Sequence, residues 1–542
     1  MSGLTDSKRV FLREATGLLR NLTPLDNFIL GVVGITPGVT MVLFYVYIPF
    51  LYPGVDMVLG ILASVPVALI MGLTYWCLAA SMPRSGGDYV YGSRIIHPLM
   101  GFWPNWIYTF VNVCALGFYA STVGGSYLAV FFAMLGNFYN NSMLNAWAAW
   151  SSTVNGGFII ALVAIWFSAL INILGIRAYA RAQNYMFVLA MLGILILFGV
   201  LAMNTNESFQ AAFNAYSAAY NTSYTGIIQQ AKTAGWQPQP TSLSQTMGAV
   251  PYIAAFSLAT VWPVLSAGEA RRPQKSMLYG TVVAIAFSGV IFVVSAVLFY
   301  NVVGLEFAKA WAYISNCGCT TNPLPVGPYI QYLTGIATTS PLIIFLLGFT
   351  FFIWSIILLP AFYLINTRSM FAWSFDRLVP GWIADVNDRF HVPLKAIVLV
   401  AILSSIMAAV ALYTTYVGYV FNLTLADSIS FSFAGIAAAA FPYSKKARRI
   451  YESPTTPAVI KKKIAGIPLV TIIGVLEAIL FWYLAYVDLA SPALSGPINP
   501  ASLGLIVMMF VSAVVIYFGA RIYRKRVNGI DIGMAFQELP PE

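Results

Sequence analysis

Between Arg94 and Arg177 the chain carries no Asp, Glu, Lys or Arg. An uncharged run of that length does not make a folded surface in water. It is long enough for two helical crossings of a bilayer, each of which takes about 20 apolar residues. The composition agrees: 8% of the 542 residues are charged and 59% are hydrophobic, where a soluble domain carries about 25% charge. Soluble enzymes, nucleic-acid binders and disordered scaffolds are excluded on that ground.

Charges punctuate the rest of the chain at similar intervals. Asp26 to Asp56 and Asp56 to Arg84 frame spans 1 and 2, and Arg94 to Arg177 holds spans 3 and 4 around a polar stretch, Asn137 to Asn155. Spans 5 to 8 lie between Arg181 and Glu207, Lys232 and Glu269, Lys275 and Glu306, and Lys309 and Arg368. Lys395 to Asp427 and Asp427 to Lys445 give spans 9 and 10. Lys463 to Asp488, interrupted only by Glu477, and Asp488 to Arg521 give spans 11 and 12. The alternation of a membrane barrel is not present in the sequence. The expected fold is an all-α polytopic membrane protein with 12 transmembrane helices.

Alternate loops differ sharply in charge. Every basic residue except Lys232 and Lys309 falls at the N-terminus, in the tail, or in a loop after an even-numbered span. The positive-inside rule then puts both termini in the cytoplasm, in a plasma-membrane protein. Attraction to anionic membrane lipid accounts for the net charge of +10 without a nucleic-acid partner. Cys77 and Cys114 fall inside spans as packing residues. Cys317 and Cys319 lie outside, where free thiols and a bridge are both open.

Two spans carry helix-breaking segments near mid-depth. Span 1 reads Gly34-Ile35-Thr36-Pro37-Gly38-Val39-Thr40, and about twelve helical residues from Leu25 bring Thr36 about 18 Å into the membrane. Span 6 reads Phe256-Ser257-Leu258-Ala259-Thr260-Val261-Trp262-Pro263. Irregular backbone survives in hydrocarbon only where it faces a cavity or ligand. Free N–H groups at one half-helix end suit a carboxylate, and free carbonyls at the other suit an ammonium or sodium ion. A plain proline kink is the bland alternative for either span, and two breaks five spans apart favour a shared site.

The loop Met82-Pro83-Arg84-Ser85-Gly86-Gly87-Asp88-Tyr89-Val90-Tyr91-Gly92-Ser93-Arg94 resembles that of the amino acid–polyamine–organocation (APC) transporters, as does His97-Pro98-Leu99-Met100-Gly101-Phe102-Trp103 after it. Gly268-Glu269-Ala270-Arg271-Arg272-Pro273 after span 6 is similar to that family's Glu-x-x-x-Pro loop, and Arg368 to Pro380 after span 8 is a third match. The resemblance covers about residues 25–443. It implies the leucine-transporter-type fold: a 5+5 inverted repeat (residues 25–203 and 246–443) with accessory spans at 468–521. Segments 1–24, 204–245, 444–467 and 522–542 would then be the cytoplasmic N-terminus, an outer loop, a basic cytoplasmic loop and the tail. It also implies secondary active transport of amino acids or related amines. Gly34, Thr36, Pro37, Gly38, Val39 and Thr40 of span 1 would contact substrate. So would Phe256, Ser257, Ala259, Thr260 and Trp262 of span 6, with Tyr108 of span 3. The family's compact Gly-x-Gly is spread around Pro37 here, and Ala259 stands where a glycine is usual.

No cofactor is expected beyond a coupling ion, Na+ or H+. Proton-driven relatives place a lysine in span 5, where this chain has Ala190; Thr350 and Ser355 of span 8 are hydroxyl candidates for sodium, against simple bonding to their own backbone. Arg84, Arg94 and Glu269 are candidates for an inner gate. Asp427 reads as a helix N-terminal residue of span 10, with proton carriage as its alternative, and Glu477 as a packing or subunit-contact residue. An exchanger, a receptor without flux and a homo-oligomer stay open. The only histidines, His97 and His391, lie in loops, so the converging groups of a membrane-embedded enzyme are not found.

Overall fold

The computed structural model describes residues 20–255, 257–387, 389–414, 423–490, 500–529, 532–537 and 539. Eleven helical stretches among them are long and apolar enough to cross a membrane. They are Pro24–Leu51 (span 1), Met57–Ser81 (2), Pro98–Phe138 (3), Val154–Ile173 (4), Ile176–Ala202 (5), Leu243–Leu265 (6), Pro273–Val303 (7), Pro341–Phe375 (8), Leu394–Tyr413 (9), Leu469–Ala490 (11) and Gly504–Val527 (12). A shorter apolar helix, Leu425–Ala440, is span 10. The twelve-helix all-α expectation holds, and each span overlaps the charge-framed window that announced it, several helices running a turn or more past a framing charge.

Burial sorts the spans into layers. The apolar window of span 1 is 94% buried, that of span 12 only 22%. Span 1 is therefore central and span 12 peripheral. Val163, Leu195, Ile406, Ile479 and Val515 point outward from spans 4, 5, 9, 11 and 12, a surface that only hydrocarbon solvates well.

The two ends of the bundle differ. Opposite the basic loops, the segments Ser142–Ser152, Asn206–Ser217, Tyr224–Thr233, Leu305–Asn316 and Ile330–Ile336 are short helices. They pack through aromatic contacts such as Tyr224 on Phe307, with ring centroids 4.2 Å apart. Both off-side cations are accounted for there. Lys309 donates to the carbonyls of Pro53 and Val55 at 2.8 and 3.2 Å, and Lys232 pairs with Glu306 at 3.0 Å on the surface. Cys317 and Cys319 are bridged, which decides between the two states left open by sequence.

At the basic end, backbone strands tie three loops together. Leu22 N–H donates to Glu269 C=O and Arg271 N–H to Leu22 C=O, each at 3.0 Å, while Gly86 N–H donates to Leu265 C=O at 2.9 Å. Gly86 sits at φ +97° with Ala372 Cβ 2.5 Å from where its own Cβ would be, so glycine is required there both for conformation and for space.

Candidate functional site

Span 1 is two helices, Pro24–Ile35 and Pro37–Leu51, hinged at Thr36. Pro37 has no N–H and disfavours the helical region for the residue before it. Thr36 accordingly turns left-handed, at φ 47°, ψ 65°, a conformation that costs a non-glycine residue about 1–2 kcal/mol. The Thr40 hydroxyl donates to the Ile35 carbonyl at 2.6 Å, capping part of the exposed end. Gly34 lies at the crossing with span 6: its Cβ would fall 2.5 Å from the Ala259 carbonyl oxygen.

Span 6 breaks in the same layer. Helix Leu243–Ala255 stops, a 3-10 turn runs Leu258–Val261, and a short helix resumes at Trp262–Leu265. The Thr260 hydroxyl donates to the Ser257 carbonyl at 2.5 Å. Trp262 Nε1 donates to Tyr108 Oη of span 3 at 2.9 Å, and Phe431 of span 10 closes on the Tyr108 ring at 5.0 Å.

A cavity of about 240 Å³ lies at these breaks, below the about 300–1,000 Å³ of drug-sized sites and suited to a small solute. Of the residues singled out from sequence, Gly34, Thr36, Val39, Thr40, Tyr108, Ala259 and Trp262 line it. Pro37, Gly38, Ser257 and Thr260 do not, and Phe256 lies outside the described residues. Gly38 turns away, so tightly against span 8 that a Cβ would overlap Cδ1 and Cγ of Trp354. Sequence reasoning missed Tyr47, Tyr127, Tyr252, Tyr329 and Asn112. Asp427, read from sequence as a helix N-terminal residue with proton carriage as its alternative, lies in the helix Leu423–Ala440 and also lines the cavity. Its presence as an acid in an apolar span was the available signal.

The two hydroxyls considered for sodium each donate to their own helix. Thr350 donates to Leu346 C=O at 2.6 Å and Ser355 to Phe352 C=O at 2.7 Å, both on their own helix. Between them Trp354 fills the space behind the span 1 break and donates from Nε1 to Ala190 C=O of span 5 at 2.9 Å. Glu477 is fully buried on span 11, beside Thr74 of span 2, so the subunit-contact reading is set aside.

Toward the basic end the bundle holds two buried ion pairs. Arg94 grips Asp376 with two bonds, 2.6 and 2.8 Å, and Tyr89 Oη donates to the same carboxylate at 2.5 Å. Arg368 grips Glu269 at 2.6 and 3.1 Å. All four side chains are at most 3% exposed. Arg94 and Glu269 thus sit in these pairs with partners that sequence did not assign; Arg84 is in neither pair. Alongside, Trp373 donates to Asn105, which donates to Asp88. Burial pushes the Asp88 carboxyl up to about 6, and the Asn105 amide opposes the rise.

The sequence family described as "Amino acid permease" matches residues 29–511. Uncharacterized transporters of Mycobacterium bovis and of two Mycobacterium tuberculosis strains are each 23% identical over 360 residues, covering 66% of this chain and 67% of the relative.

Proposed function

The chain belongs to the amino acid permease family and is a multi-pass membrane transporter, and from that premise we propose that it carries an amino acid or related amine across the plasma membrane by alternating access. The observation that carries this reading is the meeting of two interrupted helices, Gly34 against Ala259, on the wall of one cavity. Substrate carboxylate goes to free N–H groups at the breaks and substrate ammonium to free carbonyls. Spans 1–5 and 6–10 act as inverted halves with spans 11 and 12 as accessories. The broken spans 1 and 6 and the long spans 3 and 8 each stand five apart, which supports that pairing. The basic end is cytoplasmic, and the Arg94–Asp376 and Arg368–Glu269 pairs are its gate in a conformation closed on that side.

Purified protein in liposomes preloaded with unlabelled substrate should accumulate the labelled compound by counterflow, tested across the twenty amino acids and common diamines. Saturable binding with no flux would make it a receptor and overturn the transport reading.

The cycle is sodium-independent on this reading, since the indole of Trp354 packs against Gly38 at the span 1 break and the Thr350 hydroxyl lies against Gly193 of span 5. Uptake should be unchanged when choline replaces sodium, and unchanged in Thr350→Val. A steep loss without sodium would return those hydroxyls to the ion and remove this part of the proposal. A proton or an exchanged amine is left as the driving partner.

A further inference from the structure

Among the described residues, Asp427 is the only charged side chain on the cavity wall. Its Oδ1 is buried with no hydrogen-bond partner among the described residues. No Lys, Arg or His among the described residues lines the cavity. The ionisable group that acts on it most directly, Asp488 of span 11, is another acid. An ionised carboxylate held away from water needs a counter-charge, and none is supplied by the described residues of the cavity wall. Aromatic side chains are prominent on the rest of the wall, with Tyr108, Tyr119, Tyr127, Trp262 and Phe362 among them, and π-faces attract cations held against them.

We propose that the counter-charge arrives with the substrate: the cavity takes a solute bearing a second positively charged nitrogen, a dibasic amino acid or a diamine, and Asp427 is the residue that selects it. This rests on the transport reading of the same cavity. One nitrogen sits at the carbonyls of the span 1 break and the other reaches across to span 10. The acid required for a cationic substrate is absent from both breaks and comes instead from a helix whose sequence position gave no hint that it faces them.

The test is competition in counterflow by the full-length protein in liposomes, with lysine, cadaverine and leucine as probes. Wild type should favour lysine and cadaverine over leucine. Lysine and cadaverine share the distal ammonium and differ in the carboxylate, so their ratio reports the use of the break N–H groups. In Asp427→Asn the lysine-to-leucine affinity ratio should fall about 30-fold or more, the usual consequence of removing one partner of a buried charge pair. Asp427→Glu, which keeps the charge, should retain the preference for lysine. Detergent-extracted variants with wild-type elution and thermal unfolding guard against misfolding. An unchanged ratio in Asp427→Asn overturns the proposal while leaving transport intact. Equal loss of lysine and leucine transport, with wild-type leucine uptake driven by a pH gradient, makes Asp427 a proton carrier and also overturns it. If wild type moves none of the probes nor any other amino acid or amine, the failure belongs to the transport reading.

Discussion

Gly38→Leu should abolish uptake while the protein still reaches the membrane, and it should do so without a side chain entering the substrate cavity. Gly38 faces Trp354, not the cavity. The indole cannot retreat freely: it is fully buried and anchored through Nε1 to Ala190 C=O at 2.9 Å. Overpacking of this kind costs about 1–3 kcal/mol even when the surroundings yield, and loss of the Ala190 bond adds about 1 kcal/mol. Together these correspond to a fall of about 30-fold or more in the population of the working geometry. Because the collision is between two neighbours, it should be strongly non-additive. Gly38→Ala alone should already impair uptake, and Trp354→Leu in the same chain should restore part of it by making room. If the leucine acted by blocking the cavity, trimming Trp354 would restore nothing. Normal uptake by Gly38→Leu would mean that spans 1 and 8 do not pack as described.

That contrast shows where sequence stopped being informative. The spans were legible because hydrocarbon demands long uncharged runs, and basic loops recur at one end of the bundle. The hinge at Thr36 was legible because proline acts on its immediate neighbours. Which way Gly34 and Gly38 face was not. Span 1 is buried on every side, so its apolar residues carry no polar face to give a direction, and one glycine meets span 6 while the other meets span 8. The same limit hid which way Asp427 faces: a charge framing two apolar runs reads naturally as a helix end, and its place on the cavity wall is visible only in the packed bundle. The two ion pairs lay between. Arg94 and Glu269 could be named from charge and position, but Asp376 and Arg368 come from the end of span 8, which local sequence does not connect to them.

Removing one charge from the plug that these pairs are proposed to form should open it. In Asp376→Asn, Arg94 would stay 3% exposed facing an amide, and breaking a buried pair by one partner costs about 3–5 kcal/mol. The closed arrangement bears that cost in full, whereas an open one lets water reach the guanidinium. The equilibrium should therefore move toward the basic-side-open state by about a hundredfold or more. A cysteine placed on the cavity wall at Val39 reports this, because the native background is low: Cys77 and Cys114 are buried and Cys317 is bridged to Cys319. Impermeant maleimide applied from the basic side should label Val39→Cys slowly in the parent and rapidly with Asp376→Asn. Glu269→Gln should act in the same direction, since it leaves the buried Arg368 facing an amide in the same way, each arginine keeping one hydroxyl contact, to Thr367 and to Ser93. Replacing both partners, Arg94→Met with Asp376→Leu, removes the unpaired charge altogether, and apolar pairs of similar size are often as stable as the ions they replace. That double variant should protect Val39→Cys at least as well as the parent, and transport should slow because the plug no longer gains from meeting water. Slow labelling in Asp376→Asn, or rapid labelling in the apolar double, would show that closure rests on the backbone clasp of Leu22 and Gly86 and not on the ions.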